Sequence, residues 1–208
     1  MMQARCGWCG TDPLYVAYHD TDWGRPEHDP RALWEKLILD GFQAGLSWIT
    51  ILRKRENFRA AFRGFHPAQI ATWDEAEVAR LLADPGIVRH RGKIEGTIRN
   101  AQAYLKIEAQ QGFSPFLWGF VGGQPVQNRF AHMDQVPTQT AQSQEMAKTL
   151  KKNDFTFCGP TITYAFMQAV GMVNDHMTGC PSHDECAQIG GPPLGVSAAN
   201  PHIGDETR

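Results

Sequence analysis

No stretch of this 208-residue chain stays apolar long enough to span a bilayer, and neither sign of charge dominates: 22 acidic side chains against 20 basic ones leave a formal net charge of −2. The first absence argues against a membrane span. The second counts mildly against a nucleic-acid partner, whose binding domains are often strongly basic, although clustering of charge matters more than its sum. Cysteine is scarce and odd in number, at Cys6, Cys9, Cys158, Cys180 and Cys186. No apolar leader lies behind Met1-Met2-Gln3-Ala4-Arg5-Cys6. Together these argue against a secretory signal and a disulfide framework, and leave thiols or metal ligands in a cytoplasmic protein. Alternation of period two and repeats at fixed spacing are also missing.

What is present is helical periodicity almost throughout. Asp29-Pro30 offers an N-cap and a first-turn proline, and Leu33, Trp34, Leu37 and Ile38 follow on one face. Gly41 and Gly45 loosen that pattern before Ser47, which can cap a helix running through Ile51 and Leu52 to Phe58 and Phe62. Thr72-Trp73-Asp74-Glu75 has capping-box spacing ahead of Val78, Leu81 and Leu82. Ile94, Ile98, Ala101 and Leu105 define a strong amphipathic helix. Ser114-Pro115 opens a short aromatic helix, Met146 and Leu150 mark another, and Ile162, Phe166 and Val170 mark the last clear one, closed by Gly171. These patterns predict an all-α domain over residues 1–187. The Gly-, Pro-, Ser- and Asn-rich stretch 188–208 reads as a flexible tail.

Three features carry chemistry. His176 and Cys180 lie four apart, a spacing that puts both on one face if the segment is helical, and Cys6 with His19 offers a second pair near the opposite end. Two thiolates and two imidazoles make a closed tetrahedral set suited to structural zinc, but Cys9, His28, His183 and Cys186 compete as ligands. The first fifty residues are crowded with aromatics. Trp34 belongs to the core stripe, whereas Trp8, Tyr15, Tyr18 and Trp23 sit in polar, irregular sequence and Trp48 follows a helix break. Such residues can form a stacking pocket for a flat ligand such as a flipped nucleobase. Asp40, Asp20 and Asp22 are the nearby carboxylates, and the basic clusters Arg53-Lys54-Arg55, Arg89-His90-Arg91-Gly92-Lys93 and Lys148 with Lys151-Lys152 are candidate phosphate contacts.

Blocks of these residues, in order, resemble the 3-methyladenine DNA glycosylase I family: Cys6-Gly7-Trp8, Asp12-Pro13-Leu14-Tyr15, Tyr18-His19-Asp20, Trp23-Gly24, Gln43-Ala44-Gly45-Leu46-Ser47-Trp48 with Lys54-Arg55-Glu56, Gly86-Ile87-Val88-Arg89-His90-Arg91 with Lys93-Ile94, and Asn174-Asp175-His176 with Gly179-Cys180. The resemblance implies the helix-hairpin-helix DNA glycosylase fold. It implies a structural Zn2+ on Cys6, His19, His176 and Cys180 that ties the N- and C-terminal segments. It implies a base pocket of Tyr15, Tyr18, Trp48, Trp8 and Trp23, and a DNA-backbone hairpin at Phe157-Cys158-Gly159-Pro160-Thr161, with Gly159 and Thr161 the contact residues. The implied reaction is hydrolysis of the N-glycosidic bond of 3-methyladenine in alkylated double-stranded DNA by a monomeric, monofunctional enzyme, with Asp40 and Tyr18 at the base. Two departures bear on the pocket. Relatives carry glutamate where this chain has Asp40, whose oxygens retreat by about 1–1.5 Å, and Phe42 stands where a polar residue is common. A zinc-stabilised helical module that binds damaged DNA with weak or no catalysis is the alternative. A zinc hydrolase acting through His19 or His176 is disfavoured because two thiolates close the coordination shell.

Overall fold

Asp12 and Asp29 each precede a proline, and each starts a helix. The Asp12 carboxylate accepts from the N–H groups of Leu14 and Tyr15, and that of Asp29 from Ala32. Pro13 and Pro30 fill first-turn positions where no N–H is needed. In the computed structural model, which describes residues 5–189, they open α1 (Pro13–Thr21) and α2 (Pro30–Gln43). Then come α3 (Trp48–Ala61), α4 (Pro67–Ile70), α5 (Glu75–Ala83), α6 (Arg91–Gln111), α7 (Phe113–Trp118), α8 (Ala141–Lys152), α9 (Pro160–Ala169) and α10 (Pro181–Ile189), linked by short 3-10 turns. The architecture is mostly helical. No described helix is long and apolar enough to cross a membrane.

The expected stripe on α2 is buried at Leu33, Trp34, Leu37 and Ile38, and burial continues through Leu39, Asp40, Gly41 and Phe42. A helix buried nearly all round is the centre of its domain. α2 packs against α3, α6, α7 and α9, and one contiguous cluster of buried side chains runs from Tyr18 to Val173. Phe42 belongs to this cluster rather than to a pocket wall. Its ring packs 4.8 Å from Phe58 and 5.7 Å from Phe62, so the expected change to the ligand pocket at this position is replaced by a change in the core.

Local details differ from the sequence reading in physically clear ways. Asp74, not Thr72, caps α5: its carboxylate accepts from Ala76 and Glu77, and the Thr72 hydroxyl donates back to the Gln69 carbonyl. A charged acceptor two residues nearer the helix wins over a neutral hydroxyl. Ser47 occupies the N-cap of α3, but its hydroxyl pairs with that of Thr50 at 2.9 Å and makes no cap bond. Despite the lack of alternation, β1 (Val126–Gln127) pairs in parallel with β2 (Val173–Asn174). A pairing of two residues is too short to leave a period in sequence. Gly171, after α9, has φ +69°, and a Cβ there would lie 2.4 Å from the Arg25 carbonyl carbon, so glycine lets the α1–α2 connection cross the end of α9. α10 continues through Gln188 to Ile189, overlapping the start of the expected tail; residues 190–208 lie outside the described residues.

Candidate active site

Four buried side chains from the two ends of the chain converge. Cys6 precedes the turn Gly7–Cys9, His19 lies in the last turn of α1, and His176 and Cys180 lie between β2 and α10. The segment from His176 to Cys180 is a turn, not a helix; folding back on itself brings the two ligands together. The ligand atoms all lie within 4.8 Å of one another. Cys6 Sγ is 3.6 Å from His176 Nδ1, Cys180 Sγ is 3.6 Å from His19 Nε2 and 3.9 Å from His176 Nδ1. Bonds of about 2.0–2.3 Å to zinc give tetrahedral edges of about 3.3–3.8 Å; the two 3.6 Å pairs lie in that range and the 3.9 Å pair is wider.

The surroundings orient the set. Nε2 of His176 lies 3.1 Å from the Trp23 carbonyl, to which it can donate, leaving Nδ1 for a metal. Nδ1 of His19 is held by Asp20 at 2.8 Å, leaving Nε2, and Asp20 is itself paired with Arg5. The Met177 N–H donates to Cys6 Sγ at 3.3 Å. Such partners fix the tautomer and angle of ligating imidazoles. Two buried thiols side by side cannot both ionise alone. The Cys180 sulfur is held low by hydrogen bonds from Cys6, His176 and His19, while its bond to Cys180 and burial push Cys6 up. A divalent cation would stabilise both thiolates. The competing ligands are engaged elsewhere. Cys9 donates to the Cys6 carbonyl, His28 stacks on Trp118, His183 lies 3.0 Å from the Asn128 carbonyl, and Cys186 is buried beside Gly24.

Beside this cluster lies a cavity of about 290 Å³. It is lined by all six residues expected to bind a base: Trp8, Tyr15, Tyr18, Trp23, Asp40 and Trp48. Their rings form a continuous wall. Trp8 packs edge-on against Tyr15 and Trp23, each at 5.0 Å, and Tyr18 tilts onto Trp48 at 5.5 Å. Trp8 and Trp23 also pack on the Cys/His cluster, at 5.3 Å from His19 and 4.6 Å from His176. Asp40 lies in the last turn of α2 and is 1% exposed; one oxygen pairs with Lys36 and the other, Oδ2, has no protein partner. Nε1 of Trp8 and of Trp48 are likewise unpartnered. Burial pushes the Asp40 carboxyl up, opposed by Lys36. Burial, with the Asp40 and Asp22 charges, holds the Tyr18 phenol well above its usual range, so Tyr18 acts as a neutral hydrogen-bonding group. Asp20 pairs with His19 of the Cys/His cluster, and Asp22 pairs with Arg55 outside the cavity.

The expected backbone-contact residues lie at the start of α9. Gly159 is its N-cap, Pro160 its first residue, and Gly159 and Thr161 are exposed. α8 and α9 pack on one another across the loop 153–159, and α9 also presents Ala165, Gln168 and Ala169 to the cavity.

The methyladenine glycosylase family matches residues 8–183. The DNA-3-methyladenine glycosylase 1 of Escherichia coli K12 is 52% identical over 177 residues, which cover 85% of this chain and 95% of that protein. This chain belongs to the 3-methyladenine DNA glycosylase I family. A crystal structure of a 3-methyladenine DNA glycosylase I superposes with a TM-score of 0.85 at 54% identity, covering 86% of this chain and 100% of that one. A tyrosine-to-phenylalanine variant of a 3-methyladenine DNA glycosylase I, in complex with 3-methyladenine, gives a TM-score of 0.83 at 39% identity, covering 86% and 96%.

Sequence reasoning missed several lining residues of this glycosylase-family cavity. Lys36 and Gln43 flank Asp40 on α2, at spacings of four and three that a helical projection shows. Met133, Val136 and Pro137 come from the irregular segment before α8, where no period marks them. Asp175 is saturated by the Tyr164 hydroxyl at 2.6 Å, the Gln168 amide at 2.8 Å and the Asn128 amide at 2.7 Å. Of the basic clusters, Arg53 pairs with Asp12, Lys54 donates to the Pro85 and Gly86 carbonyls, Arg91 pairs with Glu75, and Lys93 is buried against the Phe42 and Ala44 carbonyls.

Proposed function

We infer that this protein is a DNA-3-methyladenine glycosylase of base-excision repair. It hydrolyses the N-glycosidic bond of 3-methyladenine in alkylated duplex DNA and leaves an abasic site, acting as a monomer and without cutting the strand. The carrying observation is the aromatic cavity with a buried carboxylate oxygen free at its wall, in a chain of this family. The cavity is large enough for a purine, with rings to stack on it. Reaching a base there requires the nucleotide to leave the duplex stack.

Methylation at N3 leaves the nucleobase positively charged and its bond to deoxyribose weak. The bond breaks with its electron pair going to the base, which leaves neutral. Positive charge builds on the sugar, water adds to the anomeric carbon, and its proton is lost to solvent. Trp48 stacks on the base, Asp40 Oδ2 accepts from its amino group, and Tyr15 and Tyr18 contribute hydrogen bonds, while Trp8 and Trp23 complete the walls. Relatives' glutamate is one methylene longer; Asp40 sits in a fully buried turn of α2 and reaches the cavity directly. We place the DNA backbone at the start of α9, whose leading N–H groups, with Gly159 and Thr161, suit a phosphate in the manner of a helix-hairpin-helix motif.

Cys6, His19, His176 and Cys180 fit zinc by donor type, spacing and burial. Zinc there would cross-link the chain's ends and offer no open position, so the chemistry belongs to the cavity residues.

The test is base release from methylated duplex DNA, with freed bases identified by chromatography and mass spectrometry. Release of 3-methyladenine with little 7-methylguanine is expected. Folded protein that binds the DNA and releases no base would instead be a damage-binding module.

A further inference from the structure

Lys36 is the one cation among the described residues lining the aromatic cavity. Its ammonium lies 3.7 Å from the centroid of the Trp48 ring and pairs with Asp40, four residues on along α2. The stacking face and the carboxylate that would favour positive charge are therefore both engaged by a side chain of the protein. Asp175, the other acid at the wall, is held in place by three neutral donors on α9 and the β1 side rather than by Lys36.

The far side of the ammonium is also lined by charged groups. Behind it lies a second cavity of about 340 Å³ that shares Tyr18, Lys36, Trp48 and Ala169 with the first. Two of its carboxylates have cationic partners, Asp22 in Arg55 at 2.7 Å and Glu35 in Arg59 at 2.7 Å, and Glu27 accepts from the Asp29 N–H at 2.7 Å. Arg55 also repels Lys36 from that side. A base entering the first cavity can displace the ammonium from the ring face, but Asp40 keeps it beside the base.

We propose that Lys36 is a specificity-determining residue: it offsets the charge of Asp40 at the base, so the pocket selects by shape and hydrogen bonding and gains little from positive charge on the lesion. This rests on reading the cavity as the base pocket. It has a kinetic side. The ammonium opposes the cationic base of the substrate and ceases to oppose it once the bond breaks and the base is neutral. Removing the charge therefore lowers both KM and kcat, a split that loss of packing alone would not produce.

The test uses the full-length protein and two flat probes measured by calorimetry at pH 8. One is 3-methyladenine, neutral there; the other is 3,9-dimethyladeninium, a permanent cation with a methyl group in place of the sugar. Wild type should bind the neutral probe at least as well as the cation. Lys36→Gln, which keeps a hydrogen-bond donor for Asp40, and Lys36→Met should shift the preference toward the cation by about tenfold or more, the scale of a unit charge roughly 5 Å away at partial burial. Lys36→Arg should stay near wild type. A folded Lys36→Gln with an unchanged ratio overturns the proposal, and so, without any variant, does a wild type that prefers the cation tenfold. If wild type binds neither probe and releases no base from methylated DNA, the base-pocket reading itself fails; binding without charge discrimination by Lys36 sinks this inference alone.

Discussion

Trp48 shows how much one side chain carries. It stacks against Tyr18, bears Lys36 on its face and opens α3 as a buried member of the core. Trp48→Ala should therefore reduce 3-methyladenine release by roughly 10- to 100-fold, the scale of losing one stacking platform, while circular dichroism and metal content stay near wild type. Excision at the wild-type rate would mean the base stacks elsewhere. Gly24 makes the opposite case, a residue with no side chain and a strict requirement. Its φ is +81°, and a Cβ would lie 2.7 Å from His176 Nε2. Gly24→Ala should push the imidazole off its place, lowering bound metal per chain and the melting temperature together. Unchanged metal content by atomic emission would contradict that packing.

At the scale of elements, the sequence made most helices legible because their apolar spacing and caps are local properties. The stripe on α2 and its proline-led start needed no tertiary knowledge, whereas α1 went unread: Tyr15 and Tyr18, expected in irregular sequence, lie on that helix. α10 was not legible, since it follows the irregular turn from His176 to Cys180 and offers few apolar positions, and the two-residue pairing of β1 with β2 exists through contacts distant in sequence. The site was legible in its aromatic residues and its Asp40, through the family resemblance. Lys36 escaped because a lysine in an amphipathic helix ordinarily faces water. The loop between α8 and α9 carries a measurable signature of its own. Burial pushes the Cys158 thiol up to about 11. An unfolded chain with an ordinary cysteine loses that proton first as pH rises, so the native state's advantage is intact below pH 9 and lost between about pH 9 and 11. The stability difference between wild type and Cys158→Ala should narrow by about 2 kcal/mol from pH 8 to 11 in urea titrations. A pH-independent difference would show that the thiol ionises freely in the folded protein.

For the whole molecule, the Cys6–His19–His176–Cys180 cluster joins segments more than 150 residues apart, and Trp8 and Trp23 lean on it from the cavity side. Cys180→Ser should lower metal content and reduce the melting temperature by roughly 5–10 °C, about what 2–4 kcal/mol costs a chain of this size. Chelation should diminish excision only as the fold loosens. Abrupt loss of activity from protein that keeps its melting transition would instead give the metal a chemical task. α9 spans the other dimension of the molecule. Its ten residues make a rod about 15 Å long, with the proposed phosphate contact at one end and Ala165, Gln168 and Ala169 in the cavity wall at the other. That rod is a ruler. On the proposed reading it would set how far, and at what rotation, an extruded nucleotide stands from the backbone that tethers it. One residue inserted mid-helix would add about 1.5 Å and turn the far end by about 100°, leaving grip and pocket each intact but out of register for the same strand.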